Sequence, residues 1–174
     1  MKGSNLEVHH MDGRAFLSGT QKRYDLIIVD AYKQPYIPFH LTTAEFFEEV
    51  NLHLNDGGIV AINVASVSPD SKVLKMLKNT MAVVYKKVYV MHPSDTLNYI
   101  VIASNKELSF DVGTDEPELK RISIDAMRDL KQVEFDESIL VLTDDKAPVE
   151  ILTDVMIFEY ILKGEATSYS RLFE

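Results

Sequence analysis

Apolar positions fall into short runs whose period changes along the chain. From Leu6 to Met11, Leu6, Val8 and His10 alternate with Glu7 and His9 before Asp12-Gly13, so the pattern predicts a strand closed by a tight turn. Arg14 to Leu17 then predicts a short helix, stopped at Ser18-Gly19-Thr20. Tyr24-Asp-Leu-Ile-Ile-Val-Asp30 carries four successive branched apolar residues, the pattern of a strand buried on both faces. After a loop with Tyr and Pro, Thr42 or Thr43 can cap a helix in which Phe46, Phe47, Val50 and Leu54 recur at helical spacing. Asn55-Asp-Gly-Gly58 should stop that helix before a buried strand over 58–65.

The alternation continues downstream. Pro69 followed by Val73, Leu74, Leu77 and Met81 predicts another helix, and the runs 83–91 and 99–103 predict an antiparallel hairpin across His92-Pro93-Ser94-Asp95. Residues 115–131 predict an amphipathic helix with Leu119, Ile122, Ala126 and Leu130 on its apolar face. A Pro-containing loop from Leu140 to Glu150 leads to a last helix near Val155–Leu162. No internal repeat or linker interrupts this order. The expected architecture is one α/β domain spanning residues 1–174, with a doubly wound sheet that is mostly parallel and ends in an antiparallel hairpin.

Composition narrows the partners. The 174 residues carry 18 Lys plus Arg against 27 Asp plus Glu, a formal charge of −9, so nucleic acid and anionic membranes are not expected partners. With no Cys there is no disulfide framework and no thiolate chemistry. The Met-Lys-Gly-Ser-Asn start lacks an apolar signal core, and a cytoplasmic location is the simplest expectation.

Candidate chemistry gathers at carboxylates. Asp12 and Asp30 each stand just past the carboxyl end of an expected strand, where open α/β sheets bind ligands and where an acceptor suits a ribose hydroxyl, an adenine amino group or an ammonium. Both can equally be caps or turn residues, and spacing does not separate the two. Adjacent His9 and His10 would point to opposite faces of a strand and cannot share an ion. Glu45, Glu49 and His53 align on one helix face, read as a solvated face, and no metal is expected. Asp144-Asp145 sits in a turn between apolar anchors, either an ordinary surface turn or a loop that offers carboxylates to a cation. The Gly residues form no Gly-x-Gly loop after a strand, no Gly-x-Ser-x-Gly elbow and no phosphate-binding Gly-Lys-Ser/Thr loop.

Five segments in order carry a family resemblance: 8–17 (Val-His-His-Met-Asp-Gly-Arg-Ala-Phe-Leu), 24–31 (Tyr-Asp-Leu-Ile-Ile-Val-Asp-Ala), 41–47, 54–63 and 142–150 (Leu-Thr-Asp-Asp-Lys-Ala-Pro-Val-Glu). Together they resemble the spermidine synthase (polyamine aminopropyltransferase) family and its methyltransferase-fold relatives. The resemblance implies a truncated methyltransferase-like Rossmann sheet in which 6–11, 24–30 and 58–63 are the third, fourth and fifth strands. It places the first two strands, the Gly-rich loop and a small β-domain upstream of Met1.

For the site, the resemblance implies Asp12 and Gly13 at the adenine of decarboxylated S-adenosylmethionine or S-adenosylmethionine. It implies Asp30 as the group that orients and deprotonates the attacking amine, with Tyr32 and Asp145 beside the substrate. Lys33 falls where the family has its second Asp, and Pro35 lies one place late. A cation there opposes a polyamine and favours, as an alternative, a small-molecule methyltransferase. A non-catalytic interaction subunit is the competing class. Without its upstream neighbours the 24–30 strand has an open apolar edge, so the expectation is a homodimer, a partner chain supplying the missing strands, or pairing of 6–11 against 24–30.

Overall fold

The computed structural model describes residues 6–31, 36–93, 96–109, 113 and 115–162. Among them a five-stranded sheet is built from β1 (Tyr24–Val29), β2 (Leu54–Ala65), β3 (Lys87–Met91), β4 (Asn98–Ser104) and β5 (Lys131–Val133), in the order β1-β2-β4-β3-β5. The helices are α1 (Gly13–Gly19), α2 (Ala44–Leu52), α3 (Lys72–Val84), α4 (Pro117–Asp129) and α5 (Val149–Leu162).

Only the β1–β2 ladder is parallel, and the other three ladders are antiparallel, which corrects the expectation of a mostly parallel sheet. Connection length explains the difference. The chain from β1 to β2 carries α2 and is long enough for a crossover, whereas the link from Met91 to Asn98 is too short for anything but a hairpin. The overall α/β class stands.

One face of the sheet is a dry core. Val60, Ile62 and Val64 of β2 lie beside Ala103, Val101 and Tyr99 of β4, and pack with Phe46, Phe47 and Val50 of α2 and Leu74, Leu77 and Met81 of α3. Thr43 caps α2 by accepting the Phe46 N–H at 3.2 Å, and Ser71 caps α3 by accepting from Leu74. α2 ends at Leu52, so Leu54 opens β2 and the Asn55–Gly58 segment is not the helix stop it was expected to be. It is taken into β2 as a bulge, because the register passes from Tyr24 opposite Leu54 to Leu26 opposite Ile59. Gly57 supplies the left-handed φ of 78° that the bulge needs, and a Cβ at Gly58 would come within 3.1 Å of the Tyr24 carbonyl oxygen.

Three other expectations change. Residues 6–11 form no strand and do not pair with β1; Leu6, Val8 and Met11 are exposed, since alternation creates a face but a ladder also needs a neighbouring edge. β1 is buried on one face only: Leu26 and Ile28 keep 51% and 64% of their surface, because among the described residues nothing covers that side or its outer edge. On α4 the expected apolar face is largely exposed at Leu119 and Ile122, and the helix buries the small Ser123 instead. Among the described residues no helix is long and apolar enough to cross a membrane.

Candidate active site

β1 delivers Asp30 to its carboxyl end. The neighbouring parallel strand β2 brings Asn63 alongside, and the Asn63 amide Nδ2 donates to Asp30 Oδ1 at 3.1 Å. This pairing follows from the ladder, in which Val29 faces Ile62, so the next residue on each strand is placed side by side. Asp30 is solvent-exposed, and no other hydrogen bond to its carboxylate occurs among the described residues. Its second oxygen is available to an incoming N–H.

Asp12 sits differently. Its Oδ1 accepts the Arg14 and Ala15 backbone N–H groups at 3.0 Å, capping α1, and His40 Nε2 lies 2.8 Å from its Oδ2. The Ala15 N–H first, and then the His40 hydrogen bond, hold the Asp12 carboxyl below its usual range, so it stays ionised. A carboxylate offers about four acceptor directions, three of which are taken here among the described residues, leaving one open. Gly13 opens α1, and a Cβ there would meet nothing within 4 Å, so its small size answers to no contact among the described residues.

The second acidic loop is fastened by Arg14. Its Nη1 and Nη2 donate to the two oxygens of Asp144 at 2.8 Å each, its Nε donates to Glu49 at 3.2 Å, and its Nη1 also reaches the His40 carbonyl at 3.0 Å. Thr43 Oγ1 donates to Asp144 Oδ1 at 2.7 Å, and Asp144 N donates to Glu45 at 3.0 Å. The Arg14 bond, ahead of Thr43, lowers the Asp144 carboxyl, and Asp144 in turn raises the guanidinium. Of the two readings left open for the Asp144-Asp145 turn, an ordinary surface turn or carboxylates offered to a cation, Asp144 follows the second with a cation of the protein itself, Arg14. Asp145 stands at the tip of the Thr143–Lys146 turn and is exposed. Tyr32, Lys33 and Pro35 lie outside the described residues.

The turn is also held from beneath. Asn79 of α3, buried, donates from Nδ2 to the Asp136 and Ile139 carbonyls at 3.1 and 2.8 Å and accepts the Asp136 N–H at 2.8 Å, while Thr80 Oγ1 accepts the Leu142 N–H at 2.9 Å. Glu45, Glu49 and His53 line up as their spacing implies, with His53 at the C-cap of α2, but they are half-buried and bonded within the protein, which corrects the expectation of a solvated face. His53 Nδ1 and Nε2 meet the Glu49 and Thr20 carbonyls, and Glu49 also accepts from Ser18. No group of three or more His, Asp or Glu among the described residues is arranged to hold a metal.

Arg14, His40, Asn63 and Asn79 were not singled out from the sequence. Arg14 alone left a trace: a cation in the first turn of a helix opposes the macrodipole, and such a residue implies a compensating partner elsewhere.

The model of the spermine/spermidine synthase domain matches residues 1–115. The chain belongs to this family. A probable polyamine aminopropyl transferase of Bifidobacterium longum is 29% identical over 194 aligned residues, covering 98% of this chain and 43% of the relative. A polyamine aminopropyltransferase of Vibrio vulnificus is 37% identical over 67 residues, 37% of this chain and 22% of that protein. The chain therefore spans less than half the length of these relatives.

Among solved structures, a probable spermidine synthase from Corynebacterium glutamicum superposes with a TM-score of 0.55 at 24% identity, over 75% of this chain and 48% of that one. Human methyltransferase-like protein 13, solved in complex with SAH, gives 0.53 at 20% identity over 80% and 66%. Both are likenesses of fold, and they support the methyltransferase-like Rossmann assignment.

Proposed function

We propose that this chain carries the acceptor side of an aminopropyl-transfer site, with Asp30 as the residue that holds and deprotonates the attacking amine. The observation that carries this reading is the Asp30–Asn63 pair at the carboxyl ends of the two parallel strands, one carboxylate oxygen fixed and the other open. In the reaction, the lone pair of a neutral amine attacks the carbon next to the sulfonium of decarboxylated S-adenosylmethionine. The C–S bond breaks with its electrons going to sulfur, methylthioadenosine leaves, and the amine proton passes to the carboxylate. Asp30 raises the rate by orienting the amine and taking that proton. Asp12 offers its remaining acceptor direction to the adenine amino group, and the family resemblance gives exposed Asp145, and Tyr32 by its place in the sequence, a substrate-binding role.

The upstream donor-binding elements that the resemblance implies would come from the remainder of the polypeptide or from a partner chain. Calorimetric titration with methylthioadenosine tests the reading. Saturable heat that is lowered by Asp12→Asn supports it, and no heat at millimolar ligand overturns it for this chain alone. A second reading, a non-catalytic interaction module, is favoured by the uncovered Leu26 and Ile28 on β1, and it predicts the null titration.

A further inference from the structure

Asp12 divides its two oxygens between two tasks. Oδ1 accepts the Arg14 and Ala15 N–H groups at 3.0 Å each, which fills both of its acceptor directions and completes the cap of α1. Oδ2 has one bond among the described residues, to His40 Nε2 at 2.8 Å. The open direction of the carboxylate therefore lies on Oδ2, the oxygen that His40 touches. An ionised carboxylate only accepts, so Nε2 is the donor of this pair, and the line of its N–H decides which lone pair of Oδ2 remains.

His40 is held ready for this bond by contacts that do not involve the Asp12 carboxylate. It lies in the short turn Phe39–Leu41, closed by the Leu41 N–H on the Pro38 carbonyl and the Thr42 N–H on the Phe39 carbonyl, both at 3.0 Å. Buried Ile37 and Leu41 anchor the turn on either side, the Arg14 guanidinium holds the His40 carbonyl, and the Phe39 ring meets the imidazole edge to face at 5.7 Å.

The bond adds little to the fold in return. The cap of α1 is complete without Oδ2, and Arg14 already ties α1 to the turn. The pair is open to solvent, with 34% of the His40 side chain and 46% of that of Asp12 exposed, where such a pair contributes little stability. What the imidazole alone fixes is the direction of the one acceptor left over. Bonds on one oxygen leave a carboxylate free to swing about that oxygen, and a bond on the other stops the swing.

We infer that His40 is a positioning residue for donor recognition: it occupies one lone pair of Asp12 Oδ2 so that the other is presented in a fixed direction to the exocyclic amino group of an adenine nucleoside. The inference rests on the proposed contact between Asp12 and that amino group, and it adds the residue that aims the contact.

Calorimetric titration of the whole chain with methylthioadenosine, and with its analogue bearing hydrogen in place of the 6-amino group, tests this. In His40→Leu the dissociation constant for methylthioadenosine should rise about tenfold, the scale of one hydrogen bond to a charged group, while that for the 6-hydrogen analogue should stay within about twofold. His40→Gln, whose amide nitrogen can reach the same oxygen, should recover most of the loss. Equal losses for both ligands would make the role of His40 merely structural and overturn the inference. So would an unchanged constant in His40→Leu while Asp12→Asn still weakens binding, an outcome that leaves the Asp12 contact standing. Binding that Asp12→Asn does not weaken, or no heat with the unsubstituted chain, marks failure of the underlying contact and overturns both.

Discussion

Two carboxylate centres in this molecule differ in how fully their acceptor positions are filled. Around Arg14, the acids Asp12, Glu49 and Asp144 are bound by backbone N–H groups, a guanidinium, a hydroxyl and an imidazole, joining α1, the 39–41 turn, α2 and the 143–146 turn. At the ends of β1 and β2, Asp30 has one amide on one oxygen. Saturation holds elements together and leaves little capacity for a ligand. A sparsely bonded carboxylate at a sheet terminus adds little stability and keeps its lone pairs for a substrate. The contrast fits a mainly structural role for the first centre, where Asp12 alone keeps one open acceptor direction, and the proposed chemistry for the second.

The sharpest way to break that contrast is through the support beneath the Arg14 centre. Asn79→Ala removes three part-buried hydrogen bonds to the 136–139 segment, at about 1 kcal/mol each, so it should cost about 3 kcal/mol in urea unfolding. A loss under about 0.5 kcal/mol, the scale of an ordinary surface substitution, would show that the segment is not held from below.

Arg14→Met strands Asp144 and Glu49 without their cation. Partial exposure screens the charges, so the expected loss is about 2 kcal/mol. The same variant should change acid sensitivity. The folded-state pKa values of Asp12 and Asp144 lie below their unfolded values, so each adds stability that is present above the unfolded carboxylate range and is lost as pH falls through the folded value. In Arg14→Met the Asp144 share of that loss should shrink to what Thr43 and His40 still supply, while the Asp12 share, set by the Ala15 N–H and His40, persists. Stability measured across pH 2–6, the window in which carboxylates titrate, reads both.

Asp30→Asn sits at the other end of the scale. Its unfolding free energy should move by no more than about 0.5 kcal/mol, while any aminopropyl transfer by the complete site should fall at least about 100-fold. Destabilisation comparable to Arg14→Met would make Asp30 a structural residue and erase the distinction.

Much of the fold was legible in local pattern. The helix over α3, the β3–β4 hairpin and the Thr43 cap follow from periodicity, turn chemistry and a hydroxyl in the right place. Residues 6–11 show where such reasoning stops: the alternation is present, but a strand exists only against a neighbour, and none is placed there among the described residues. At the site, Asp30 was legible because it ends an apolar run, whereas its partner Asn63 lies 33 positions away and was hidden until β1 and β2 were aligned. Asp144 was legible as one of two adjacent acids, yet nothing local separates it from Asp145. That choice depends on Arg14, 130 residues distant.

The sequence by itself determined most of the helices and the central strands, the acidic balance, the position of Asp30 in the chain and the family resemblance, because these depend on short-range sterics, hydrophobic period and residue order. Only the tertiary structure decided the single parallel ladder, the saturation of the Arg14 centre, the open face of β1 and the place of His40 beside Asp12. Each of these is a relation between segments far apart in the chain, fixed by which surfaces pack together and which are left in water.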